Sequence, residues 1–330
     1  MMVRLAMTWT LRALILICTL ASLPAAQAHD PLALTVRPVP LNPEAPEQQE
    51  VDGLLWRGGL ELRSPDPRFG GLSALLVEAD GRELLALTDA GHLVAGRLTY
   101  DSDGRLSGLE DARITALRDL DGRPLEGKGN QDAEALARGA DGGLLVAFEV
   151  AHRLWRYPGD LARRDGRPRP LIAPPGLSQA PINGGIEALT RLSDGGLLAL
   201  TEDSKTDGGL AAYLWRDGVW STLAYRPHGA FRPSGATLLP DGDVLVLERA
   251  FSLLGGFRSR LVRLAQDSIQ PGAVLEGREI ARLQPPLTHD NFEAVATRRG
   301  ANGETLIYLV SDDNFSALQD TLLLMFELAE

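Results

Sequence analysis

The stretch NGGIEALTRLSDGGLLALTED, Asn183 to Asp203, decides how this chain is read. Apolar residues alternate with small or polar ones on either side of Asp194-Gly195. That is the pattern of two short strands joined by an Asp-Gly turn. A carboxylate, Glu187, opens the first strand, and Glu202 and Asp203 close the second. In a hairpin those two places are neighbours, so the acids gather at the end away from the turn.

The same hairpin recurs four more times. GGLSALLVEADGRELLALTDAG spans Gly70–Gly91 and QDAEALARGADGGLLVAFEV spans Gln131–Val150. RPSGATLLPDGDVLVLERA spans Arg232–Ala250, and DNFEAVATRRGANGETLIYLVSDDN spans Asp290–Asn314. Aligned on their alanines at positions 74, 135, 188, 236 and 294, the copies are separated by 61, 53, 48 and 58 residues. Each step has room for four strands. After the copy that holds Ala188, for example, come AAYLWRDG and WSTLAYR. A four-stranded unit repeating at about 50 residues predicts an all-β fold, a β-propeller. The motif count gives five blades, or six if the long first step or the N-terminal arm hides another. A β-sandwich does not explain five copies of one hairpin. The last copy has only three strands, ending in TLLLMFEL, and LLWRGGLEL (Leu54–Leu62) upstream has no partner of its own. Pairing the two closes the ring with an N-terminal strand.

The flanks are of another kind. Arg4 and Arg12 precede an apolar run from Ala13 to Leu23, and Ala26-Gln27-Ala28 follows with the small-x-small pattern of a leader-peptidase site. Residues 1–28 therefore read as a signal peptide, and the protein as exported, periplasmic or secreted. The run is shorter than the ~20 residues a membrane span requires, and no membrane span is expected after cleavage. Residues 29–50, rich in Pro, Ala and Glu, read as an extended arm or linker. Residues 51–330 form one propeller domain. The only cysteine, Cys18, lies in the leader, so disulfides contribute nothing to the mature chain. Removing the leader leaves 31 basic and 44 acidic residues, a formal charge of −13. That charge opposes nucleic acid and anionic membrane surfaces and suits a protein that binds cations.

In a propeller the first strand of each blade lines the central channel and the second returns to the face where the first began. The Asp-Gly turns at Asp80, Asp141, Asp194 and Asp241 then lie on one face. Strand beginnings carry Asp132, Glu134, Glu187, Asp290 and Glu293, and strand ends carry Asp89, Glu149, Glu202, Asp203, Glu248, Asp312 and Asp313. All belong to the opposite rim. Carboxylates crowded at one mouth repel one another unless a cation sits among them. Ca²⁺ takes 6–8 oxygen ligands in flexible geometry and fits such a set. The expected metal ligands are Glu134, Glu149, Glu202, Asp203, Glu248, Asp312 and Asp313. Glu187 and Glu293, opening inner strands at the mouth, are the candidate general bases. Arg232, Arg249 and Lys205 fall near the same rim, as do His152, Arg153 and His289, and the first three are the candidate substrate-binding cations. Lys128, in EGKGNQDAEAL, lacks the context of a phosphate-binding P-loop.

These motifs, and above all the closing NFEAVATRR…LIYLVSDDNFSALQDTLLLMFEL, resemble the phytase-like domain family, described as having esterase-like activity of phytase. The resemblance runs from about Arg57 to Leu328. It implies an exported β-propeller related to calcium-dependent phytases. Carried onto this chain it points to Glu134, Glu187, Glu248, Glu293, Asp312 and Asp313. The function expected is a hydrolase acting on a small-molecule phosphoester at an acidic, calcium-binding channel mouth, in a monomer. A calcium-dependent lactonase or carboxylic esterase, and a propeller that only binds a ligand or protein there, are the alternatives.

Overall fold

The computed structural model describes residues 30–159 and 166–329. The expected signal peptide lies outside the described residues. The chain is a propeller of five blades around a central axis. Their inner strands are Leu72–Val77, Ala133–Arg138, Ile186–Arg191, Arg232–Leu238 and Phe292–Arg299. Each packs against the next, and the fifth packs against the first.

Period-2 alternation explains why the blades stack. In blade four's second strand, Val244 and Val246 face blade three, while Leu245 and Leu247 face blade five. Blade two repeats the pattern, with Leu144, Val146 and Phe148 against blade one and Leu145 and Ala147 against blade three. Each strand is apolar on both faces because both faces of its sheet are covered. The result is five apolar clusters, one at each seam between blades.

The ring closes as the sequence predicts. Leu54–Arg63 pairs antiparallel with Thr321–Leu328 and supplies blade five's fourth strand. Across that pair Arg57 bonds Glu327. The described part of segment 29–50 lies on the ring, extended at first and then turning over residues 42–48. Thr35–Pro38 pairs with the closing strand, Asp30–Pro31 pairs with blade one's outer strand, and Leu41 is buried between blades four and five.

The far-face hairpins close through Asp-Gly in blades one to four and through Asn302-Gly303 in blade five. In blade three the Gly195 amide donates to the Leu192 carbonyl, and the Asp194 carboxylate accepts from the Gly196 amide at 2.9 Å. Gly195 has φ +88°, a conformation costly for any residue with a Cβ. Gly81, Gly142 and Gly242 adopt the same conformation in their blades.

One register detail sets the site. In every blade the first strand carries a β-bulge at its beginning, between the pairs Leu72/Ala74, Ala133/Ala135, Ile186/Ala188, Pro233/Gly235 and Phe292/Ala294. The bulged residues are Ser73, Glu134, Glu187, Ser234 and Glu293. Gly235, not Ala236, is therefore blade four's counterpart of the other copies' alanine. Aligning that copy on its alanine places it one residue out.

Candidate functional site: an acidic channel mouth

A bulge leaves one residue out of the ladder and re-aims its side chain. Here it turns three glutamates, Glu134, Glu187 and Glu293, into the channel mouth. In the two other blades the slot holds serine. Ser73 Oγ donates to the Ala133 carbonyl at 2.6 Å and Ser234 Oγ to the Phe292 carbonyl at 3.1 Å, so each fastens its inner strand to the next blade. A second ring comes from the residue just past each second strand's last bulge-flanking pair: Asp89, Glu149, Glu202, Arg249 and Asp312. In four blades its amide is held by the carbonyl of the residue ahead of the inner strand, Gly71, Asp132, Gly185 or Asn291. In blade four Arg249 pairs with Arg232.

Together these rings line a cavity of about 260 Å³. Eight carboxylates face it, those of Asp89, Asp132, Glu134, Glu149, Glu187, Glu202, Glu293 and Asp312, against two cations, Lys128 and Arg249. Arg249 is engaged on both sides, donating to Glu293 at 2.8 Å and to Glu202 at 3.1 Å. Asn291 donates to the other Glu293 oxygen at 2.7 Å. Glu149 accepts from the Gly185 amide at 2.8 Å and lies within hydrogen-bonding reach of Glu187.

The electrostatics follow from that crowding. Burial, then Asp132, Asp89 and Glu149, push the Glu134 carboxyl well above the usual range. Burial does the same to Glu187, with Glu134 and Glu149 adding to it. Burial raises Glu293 less far, because Arg249 opposes it. Asp89 is pushed up to about 6 and Asp312 to about 8, both chiefly by burial. Such a set holds protons or a cation at neutral pH.

Asp132, Glu134 and Glu149 each offer an oxygen within 4.8 Å of the other two and could hold a metal ion. Two further observations fit that use. Buried Asp89 Oδ1 and Asn291 Oδ1 have no hydrogen-bond partner among the described residues. Among the described residues, the metal-binding donors lining the cavity are hard oxygens, with no histidine or cysteine, a set matched to Ca²⁺ or Mg²⁺ rather than to zinc.

Of the residues singled out in the sequence, Glu134, Glu149, Glu187, Glu202, Glu293, Asp312 and Arg249 meet in this cavity. Glu248 does not. It is fully buried at blade four's seam, ion-paired to Arg260, and its Oε1 accepts from the Tyr225 hydroxyl at 2.6 Å. The register gives the mouth position to Arg249, one residue later, and Glu248 opposes Pro233 in the ladder. Asp313 works beside the mouth. Its Oδ1 accepts from the Gly71 and Phe315 amides, each at 3.0 Å, and its Oδ2 from the Thr321 hydroxyl at 2.9 Å. It thereby ties blade five's loop to blade one. Asp203, Lys205 and Arg232 are not among the cavity's lining residues, and Arg232 donates to the Phe231 carbonyl. His152 bonds the Pro181 carbonyl, His289 bonds the Leu287 carbonyl, and Arg153 lies over the rings of Phe148 and Trp155.

The sequence passed over Lys128 and Asn291 as site residues. Lys128 begins a single helical turn, Lys128–Gln131, in the loop entering blade two, and that turn hangs it over the cavity. Asn291 immediately precedes an inner strand, the place Asp132 occupies in blade two, and that position was its one legible signal.

Fold and site together define a β-propeller with an acidic, metal-competent channel mouth. A family model described as Phytase-like, esterase-like activity of phytase, matches residues 67–315, and the chain belongs to that family. No curated protein matches it. Among solved structures, the chain is similar to the PQQ-bound aldose sugar dehydrogenase of Streptomyces coelicolor at 14% identity, with TM-score 0.47, over 90% of this chain and 99% of that one. It is also similar to virginiamycin B lyase from Staphylococcus aureus at 11% identity, with TM-score 0.38, over 84% and 85% of the two chains.

Proposed function

We propose that this protein is an exported, calcium-dependent ester hydrolase that acts on a phosphoester at the channel mouth. The observation that carries the reading is the convergence of eight carboxylates on one cavity containing two cations, one of them already engaged by two of those acids. Asp132, Glu134 and Glu149 would hold the ion, with Asp89 beside them. A divalent cation bound there supplies positive charge to phosphoryl oxygens and makes water more acidic.

The chain's own groups divide the remaining work. Glu187 is buried at the mouth and, unlike Glu293, makes no direct ion pair among the described residues, so its raised proton affinity suits it to take a proton from an attacking water. Glu293 is pinned by Arg249 and Asn291 and is the poorer base. It holds Arg249 in place between blades three and five. Lys128 is exposed above the cavity and is free to meet an anionic group of the substrate.

A second reading, a lactonase or carboxylic esterase, is favoured by one observation. Arg249 is committed to Glu202 and Glu293, which leaves the mouth little positive charge of its own for a phosphate. The deciding experiment is metal analysis of the purified protein combined with a calcium-supplemented screen of phosphomonoesters, phosphodiesters, lactones and carboxylic esters. Turnover of a phosphoester, abolished by chelation, supports the proposal. Turnover confined to lactones or carboxylic esters replaces it with the second reading.

A further inference from the structure

Hairpin tips at the two ends of the channel differ in chemistry. On the far face, those joining first and second strands are Asp-Gly turns in four blades and Asn302-Gly303 in the fifth. At the mouth end, blade four's second and third strands, Val244–Ser252 and Gly256–Leu264, run on past the cavity and turn through Leu253-Leu254-Gly255. Leu253 and Leu254 are 94% and 104% exposed, and Phe251 behind them is 55% exposed. Leucines this exposed add no buried apolar area to the fold, and the like-placed tip of blade three is Asp207-Gly208. The turn itself needs only Gly256, at φ +62°, and the Ser252 hydroxyl, which accepts from the Gly255 amide at 3.1 Å.

This apolar surface is continuous with the site. Phe251 packs on Phe257 with ring centroids 4.9 Å apart, and Phe257 is part of the wall of the acidic cavity. Of the ten large hydrophobic side chains exposed among the described residues, five stand on mouth-end loops, Leu253, Leu254, Ile182, Phe315 and Leu318, and Phe251 lies in the strand that leads to this tip. Exposed apolar surface gathered at one end, beside a polar cavity, marks a binding surface.

We infer that the substrate is amphiphilic: a phosphoester whose head enters the acidic cavity and whose alkyl or acyl chain lies along Phe257, Phe251 and the Leu253–Leu254 tip. This rests on the hydrolase reading for its chemistry but on separate residues for its geometry. The occupant follows from three facts. A cavity of about 260 Å³ takes a polar head and little more, so a longer chain must leave over the rim. The wall it meets on blade four's side is Phe257. A cation held by Asp132, Glu134 and Glu149 would draw an anionic phosphate head into the cavity.

The test is calorimetric, in millimolar calcium, with butyl phosphate and decyl phosphate below their micelle-forming concentrations. Full burial of a methylene is worth about a fourfold gain in affinity, and contact on one side about half that on a logarithmic scale. Decyl phosphate is therefore expected to bind at least about tenfold tighter than butyl phosphate. In L253S/L254S, and again in Phe251→Ser, that ratio falls at least about threefold, each variant leaving part of the track in place, with the melting temperature used to confirm folding. Equal affinities for the two phosphates in the unaltered protein overturn the inference. So does a preference for decyl phosphate that survives both variants, or binding to phosphatidylcholine vesicles with no preference among the monomeric phosphates. The two readings fail separately. Hydrolysis without chain-length dependence removes the amphiphile and leaves the hydrolase. Tip-dependent binding of decyl phosphate with no hydrolysis of any ester removes the hydrolase and leaves the apolar track.

Discussion

The two faces of this propeller use the same residue type to opposite ends. On the far face, Asp141, Asp194 and Asp241 each sit at a turn with partners on two sides. Backbone amides two residues on donate to them, and Arg156, Arg216 and Arg263 pair with them from the third strands. At the mouth the carboxylates face chiefly one another, and burial raises their proton affinities. An acid with a partner is structural. An acid whose neighbours are acids is poised for a proton, a metal or a substrate. The contrast lies in surroundings that the backbone sets, because the bulge at each inner strand aims its side chain inward and the Asp-Gly turn aims its side chain back at its own hairpin.

The sharpest way to break the contrast is at Glu187. Glu187→Gln keeps its size and removes one base, and turnover of the best substrate is expected to fall by about 10²–10⁴-fold. Full activity in this variant would hand the mouth to the ligand-binding alternative. Next comes Glu248, an acid near the mouth by sequence but partnered by structure. Glu248→Gln breaks a buried pair but leaves Arg260 its second partner, Glu279, and should cost about 3 kcal/mol in urea unfolding, the low end for such a loss. If instead it lowered calcium affinity without loss of stability, Glu248 would belong to the metal set after all.

Metal removal is expected to have the third largest effect. A ligand at 100 times its Kd adds about 2.7 kcal/mol, so chelation should lower the melting temperature and calcium should restore it better than magnesium. The pH dependence supplies the sign. Asp89 and Asp312 titrate near 6 and near 8 in the folded chain, above their ordinary value near 3.8, so the metal-free fold binds more protons than the unfolded chain across that interval. The stability they contribute is fully present below about pH 4 and is lost as pH rises through 6 and 8. Metal-free melts should therefore fall between pH 5 and pH 8, and saturating calcium should flatten the decline. Melts that rise with pH in the chelated protein would contradict the crowding described here. Smallest of all is Asp194→Asn on the far face. Its amide oxygen still caps Gly196, only a surface pair to Arg216 is lost, and stability should change by less than about 0.5 kcal/mol with activity unaltered.

Most of the fold was legible because its signals are local and repeated. Five hairpins with glycine at the turn gave the blade number, and the orphan run Leu54–Leu62 gave the closure. The gathering of acids at one end followed from strand direction alone. What the sequence obscured was register. Blade four reads VLVLER where blade two reads LLVAFE, and aligning acid with acid puts Glu248 opposite Glu149. The ladder sets Glu248 opposite Pro233, the place Phe148 holds opposite Ala133 in blade two, and in a strand one residue is the difference between two faces. Lys128 was hidden for another reason. Its position depends on the path of an irregular loop, which has no period to read.

The closing strand bears on how the molecule comes into being. Arg57 and Glu327 are 270 residues apart in sequence, yet they bond each other in the same blade. Four blades can assemble from neighbouring hairpins as the chain emerges, but the fifth waits for its earliest-made strand to find its latest. Closing so long a loop costs little more entropy than closing a shorter one, since the penalty grows with the logarithm of length. The cost falls on time, because non-local pairings form slowly. Until the two ends meet, the Thr321–Leu328 strand presents an open edge that a second chain can capture, so the step that makes the ring rigid is also the one most exposed to dilution, crowding and neighbouring copies of itself.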